Sequence, residues 1–255
     1  MTPDRTLLPK LARQPEIPDS FSLPAARRQL PAASRRFFLV TEFLALFIGL
    51  PVALFFGLAT RLPPLPILWA AALYCLVLLL RDPTFDRRQL WNAAPFRAQL
   101  PQILGLFLLA SAIVTLLIRL YAPSLFLILV RTQPGLWATI LIGYPILSVY
   151  PQALIYRAFF FHRYRPLLEN GLSGVAPDPR TRSAIMILVS AATFALMHIV
   201  FRNWIALAFT FPGGILFALR YCNTRSLAVS SFEHALYGSF LFTIGLGQFF
   251  YVRVV

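Results

Sequence analysis

Apolar residues fall along this chain in long blocks, and most polar residues lie in the gaps between them. The blocks run from Phe37 to Leu58, Leu65 to Leu80, Ile103 to Leu120, from about Gly135 onward, Ser183 to Phe201, Trp204 to Ala218 and Leu227 to Val252. An amphipathic surface helix would show an apolar stripe recurring every three to four residues. Blocks approaching or exceeding the ~20 residues that cross a bilayer predict transmembrane helices instead. A shorter apolar piece, Leu125 to Val130, cannot span and reads as re-entrant or as an extension of the third helix. The predicted fold is therefore all-α, a polytopic integral membrane bundle of seven to eight transmembrane helices. Pro145 and Pro151 should kink the fourth span and free carbonyls that neighbouring side chains must satisfy. Pro212-Gly213-Gly214 should bend the sixth or admit another backbone closely.

The gaps divide the chain into regions. Residues 1–36 are polar, basic and rich in proline, with no apolar core of signal-peptide length, and read as a cytoplasmic tail. Residues 37–134 hold the N-terminal spans, with an interfacial segment over 81–102 where Trp91 mixes with Arg81, Arg87, Arg88 and Arg97. Residues 135–255 hold the remaining spans, interrupted by a Gly-, Pro- and Asp-containing loop over 165–182.

Composition agrees with a membrane protein: 58% hydrophobic and only 13% charged. The formal charge of +14 would suggest nucleic acid in a soluble chain, yet here it clusters at the ends of apolar blocks. That is the positive-inside pattern, so membrane lipid is the expected partner and nucleic acid is not. With the N-terminus in the cytoplasm, 18 of the 23 basic residues fall on the inner side, as expected in a bacterial inner membrane. Cys75 and Cys222 are isolated thiols without disulfide or zinc spacing.

Three apolar stretches carry polar groups at a depth where lipid is expected. The first places Gln152, Tyr156 and Arg157 on the fourth span; the second ends Phe194-Ala-Leu-Met-His198; the third reads Glu233-His234-Ala-Leu-Tyr237-Gly238. An arginine at the bilayer centre costs about 2.5–3.5 kcal/mol on insertion scales, so it persists where a cavity, a partner or a function holds it. Two histidines on separate spans, together with an arginine, a glutamine and a glutamate, favour a shared functional cavity over isolated interhelical contacts. Glu233 is a candidate counter-ion for Arg157; the alternative is that it faces the headgroups and meets nothing.

The order of these motifs resembles the CPBP family of intramembrane endopeptidases, the CAAX-prenyl proteases and bacteriocin-processing enzymes. That family carries Glu-Glu-x-x-x-Arg, then Phe-x-x-x-His, then His-x-x-x-Asn on successive helices. Arg157, Phe194, His198 and His234 match, with Tyr156 in the aromatic position before the arginine, and the resemblance covers roughly residues 135–250. It implies a hydrolase cleaving a membrane-associated peptide or protein. Water would be activated at positions 152 and 153, His198 and His234 would assist it or hold a divalent metal such as zinc, and Arg157 would give electrostatic support.

Three positions depart from the pattern: Gln152 and Ala153 replace the two glutamates, and Gly238 replaces the asparagine. A glutamine can orient water but cannot take its proton near neutral pH. Ala153 can do neither, so the residues argue against ordinary catalysis. Residues 153 and 157 are four apart and share a helix face, so a glutamate at 153 would have been the natural counter-ion of Arg157. Glu233 is then the remaining carboxylate for the site. A non-catalytic peptide- or lipid-binding relative is the alternative; a small transporter is a further one, which lacks a detectable inverted repeat.

Overall fold

The computed structural model describes residues 32–58, 64–169 and 178–251. Most of the expected cytoplasmic tail, the middle of the 165–182 loop and the last four residues lie outside them. Among the described residues all regular structure is helical. Seven helices reach 18 residues or more: α1 Ala33–Gly57, α2 Pro64–Arg81, α3 Phe96–Tyr121, α4 Pro134–Arg163, α5 Pro179–Phe201, α6 Trp204–Thr224 and α7 Leu227–Ile244. Six of them, α1 to α6, are long and apolar enough to cross a membrane. The seventh has 18 residues but carries Ser230, Ser231, Glu233 and His234 in its first half, all buried.

The second half of α4 is the axis of the bundle. Every residue from Ala153 to Phe161 is buried, so this stretch touches protein around its whole circumference. Its aromatic side chains hold α1: Phe47 makes edge-to-face contacts with Tyr156, Phe160 and Tyr164, at centroid separations of 5.4, 5.5 and 5.7 Å. A polar clamp reinforces the same joint. Arg163 donates through Nε and Nη2 to both oxygens of Glu42, at 2.8 and 3.1 Å, and Tyr74 donates to Oε1 at 2.8 Å. One carboxylate thus ties α1, α2 and α4 with charge-assisted bonds.

Of the proline effects expected in α4, the freed carbonyl met by a neighbouring side chain is present at Pro151. Wide π-type turns, Pro145–Val149 and Leu154–Phe159, flank Pro151. Pro151 has no N–H to offer the carbonyl four residues before it, and that carbonyl, Leu147 O, accepts from Trp69 Nε1 on α2 at 3.0 Å. In α6 the expected close approach is made by Gly214: a Cβ there would sit 2.9 Å from Ala191 Cα on α5. Asp178 caps α5, and the Thr181 hydroxyl, with backbone N–H groups of the first turn, holds its carboxyl below the usual range.

Several boundaries differ from the apolar pattern: α3 starts at Phe96, inside the expected interfacial segment 81–102, α6 runs on to Thr224 instead of Ala218, and two further differences come from tertiary contacts. The last helix stops at Ile244, well short of Val252, because Gly245 adopts φ +112° and a Cβ there would lie 1.8 Å from Leu125 O. The short piece after α3 does not extend that helix. It folds as a tight turn, Pro123–Leu125, and a short helix, Ile128–Thr132, against the end of α7, with Leu127 N–H bonded to Ile244 O at 3.2 Å. The pattern ran past the stop because the stop depends on a contact between residues about 120 positions apart, and of the two readings of the short piece the extension of the third helix is excluded.

Between α2 and α3, the chain folds back over the bundle. Phe85 and Leu90 are buried, Tyr150 donates to Leu90 O, and Ser226 donates to Asn92 O, covering the start of α7. His162 pairs with Asp82 at 3.0 Å on the same side.

Candidate functional site

Phe194 on α5 is the point where the three motifs meet. Its ring lies 4.7 Å from the His198 imidazole, 5.5 Å from that of His234, and 5.1 Å from Arg157 Cζ. Tyr156 and Phe217 pack on it edge-on, at 5.3 and 6.5 Å. The side chains expected in one place are thus gathered there, and all three are buried.

Arg157 is positioned by the wide turn Leu154–Phe159. Such turns occur mostly as single insertions in α-helices, frequently at functional sites. Its Nη1 donates to Ser190 Oγ at 2.7 Å and to Tyr156 O at 3.1 Å, and Ser190 also donates to Tyr156 O at 2.7 Å. Among the described residues no carboxylate pairs with it; hydrogen bonds and the face of Phe194 hold the charge.

His198 begins the last, tighter turn of α5 and is fixed through Nδ1, 2.7 Å from Phe194 O. A carbonyl only accepts, so Nδ1 carries the hydrogen and Nε2 of the neutral ring keeps its lone pair. His234 is stacked on Phe217 at 4.5 Å, and its Nε2 is hydrogen-bonded to the Tyr144 hydroxyl at 3.2 Å.

On sequence spacing, His198 near the end of one span and His234 near the start of another sit at different depths. The helices resolve this by starting at different levels. Residue 194 is the sixteenth of α5, whereas His234 is the eighth of α7. The first turn of α7 is buried beneath the 82–95 segment, which brings His234 level with Phe194. At 1.5 Å per residue the offset between the two helix starts is about 12 Å.

Gln152 and Ala153 lie on the same helix as Arg157. Gln152 Nε2 donates to Ser148 Oγ at 2.7 Å, while its Oε1 is buried and meets no donor among the described residues. Ala153 is buried in the core.

Glu233 departs from expectation. It pairs with Arg220 on α6, not with Arg157: Nε and Nη2 reach its two oxygens at 2.8 and 2.9 Å, with Glu233 fully buried. Arg220 Nη1 also donates to Gln99 and Gln102 of α3. Arg220 reads in the sequence as a loop cation because it stands five residues before Arg225 near a polar gap. Only the folding of α7 against α6 shows that it lies inside. A buried glutamate one residue before His234 was the available signal that such a partner had to exist.

The donor set does not make a catalytic zinc centre. Among the described residues no three His, Cys, Asp or Glu side chains gather at one point, and such a centre takes three protein ligands. The Phe194 ring lies against both imidazoles, and one nitrogen of each is already engaged.

A comparison with known families adds to this geometry over part of the chain. Residues 133–240 match the family of type II CAAX prenyl endopeptidase Rce1-like proteins. No curated protein and no solved structure matches the chain. The matched segment runs from the N-terminal end of α4 to about one turn before the end of α7, and so contains Tyr144, Gln152, Ala153, Arg157, Phe194, His198, Glu233, His234 and Gly238. The helices that build the site are those that carry the match.

Proposed function

We propose that the chain is an intramembrane endopeptidase of the CAAX type, acting on a membrane-associated peptide or protein, and that its chemistry is impaired at positions 152 and 153. The observation that carries the reading is the convergence of Arg157, His198 and His234 on Phe194 within the Rce1-like segment. Hydrolysis requires a base to take a proton from water as it attacks the scissile carbonyl, and an acid to return one to the leaving amine. Gln152 Oε1 can accept a hydrogen bond from that water and orient it, but cannot remove the proton. His198 Nε2 and the Tyr144–His234 pair supply further polar contacts. Arg157 adds positive charge beside the reacting carbonyl. Glu233 cannot readily serve as the base, since both its oxygens are held by Arg220.

The chain lies in a bacterial inner membrane with its N-terminus in the cytoplasm, on the support of the basic residues between α2 and α3. Arg81, Arg87 and Arg88 are exposed there.

The test compares this chain with its Ala153→Glu variant in liposomes carrying a fluorogenic membrane-anchored peptide. General-base assistance is worth about 10²–10⁴-fold, and a gain of that order is expected. His198→Ala or His234→Ala should then abolish the gain. Full cleavage by the chain as it stands, with no gain in Ala153→Glu, would refute the impairment. The absent carboxylate at positions 152 and 153 favours one other reading, a peptide binder on the same scaffold. That reading expects peptide binding without cleavage in both chains.

A further inference from the structure

Gly238 stands where the resembling family has asparagine, four residues after His234 and on the same face of α7. The space its missing side chain would fill is occupied. A Cβ built on Gly238 would lie 2.2 Å from the Tyr144 hydroxyl and 2.4 and 2.5 Å from two carbons of its ring. The same hydroxyl is 3.2 Å from His234 Nε2, and the ring packs edge-on against Phe242, one turn further along α7, at 5.3 Å. Trp137, seven residues before Tyr144 on α4, donates from Nε1 to Thr243 Oγ1 at 3.0 Å, which fixes the antiparallel register of the two helices.

We propose that Tyr144 is the positioning residue of His234, and that Tyr144 and Gly238 form one size-for-size exchange. The tyrosine reaches across from α4 into the volume from which residue 238 would otherwise touch the histidine. Three features carry this. The overlap at 238 falls on the hydroxyl itself, so no side chain fits there while Tyr144 keeps its place. The hydroxyl bonds the imidazole nitrogen on the face where a side chain from 238 would reach. Phe217 stacks on His234 at 4.5 Å, so ring stacking and the Tyr144 bond together leave the imidazole one orientation. The inference rests on the proposed function only for the importance of His234.

The test therefore does not use cleavage. Unfolding of the full chain in detergent is followed for Gly238→Ala, Tyr144→Leu and the double variant. Gly238→Ala should lower the unfolding midpoint in the native background and leave it nearly unchanged beside Tyr144→Leu. An equal loss in both backgrounds would overturn the exchange. The chain has three histidines, so ring-nitrogen resonances are few. Tyr144→Phe keeps the ring and removes the hydroxyl; it should shift the His234 nitrogen signals and leave those of His162 and His198 in place. A His234 signal that does not move would overturn the positioning role. If Ala153→Glu fails to cleave while these shifts and couplings appear, the protease reading falls and this inference stands.

Discussion

The Arg220–Glu233 pair offers the sharpest test of what Glu233 does. Glu233 is fully buried, Arg220 is 4% exposed, and the guanidinium reaches both carboxylate oxygens within 2.9 Å. Arg220→Met removes the donors of that bidentate contact and those to Gln99 and Gln102, leaving a carboxylate in an apolar interior. Breaking a buried pair from one side typically costs about 3–5 kcal/mol, or roughly 150- to 5,000-fold in the folded-to-unfolded ratio. Removing both charges with apolar residues of similar volume is often neutral, so Arg220→Met with Glu233→Leu should recover most of the loss. The assay is denaturation in mixed micelles followed by the fluorescence of the four tryptophans. An Arg220→Met chain that unfolds at the native midpoint, or a double variant no better than the single, would refute the argument. The result bears on mechanism too: loss of activity in Glu233→Gln would reflect a broken α6–α7 clamp, not a missing base.

Among the described residues Arg157 has no carboxylate to strand, and Tyr156 O keeps its bond from Ser190, so Arg157→Met should cost clearly less than Arg220→Met in the same titration. An equal or larger loss would mean that Arg157 anchors more than these contacts. Gly245→Ala should be severely destabilising, since φ is +112° and the new Cβ meets Leu125 O at 1.8 Å; Gly105→Ala, in the lipid-facing middle of α3 with nothing within 4 Å, should raise stability by about 0.5–1 kcal/mol. Thermal midpoints in detergent check both. Ala153→Glu, while raising cleavage, should lower stability by about 1–3 kcal/mol, because residue 153 is packed in the core; an unchanged midpoint would mean that the site already holds room for the carboxylate.

The sequence by itself determined the membrane character, most helix positions and the identity of the motif residues. Hydrocarbon leaves a chain little choice but to satisfy its backbone within helices, so apolar block length translates directly into spans. The consequences of Pro151 and Gly214 were also readable, since a missing N–H and a missing Cβ act locally. Which polar groups meet was decided by the tertiary structure. Glu42 and Arg163 are 121 residues apart and Arg220 and Glu233 are 13 apart, and nothing in their spacing pairs them. Glu233 chose Arg220 over Arg157 because the start of α7 lies against α6 and α3, while Arg157 faces α5. The end of α7 at Gly245 and the level of His234 were fixed in the same way, by contacts with the turn at Leu125 and with the 82–95 segment. Helix formation follows from each residue's own surroundings in lipid; partner choice and depth follow from how the helices are offset, which only their packing sets.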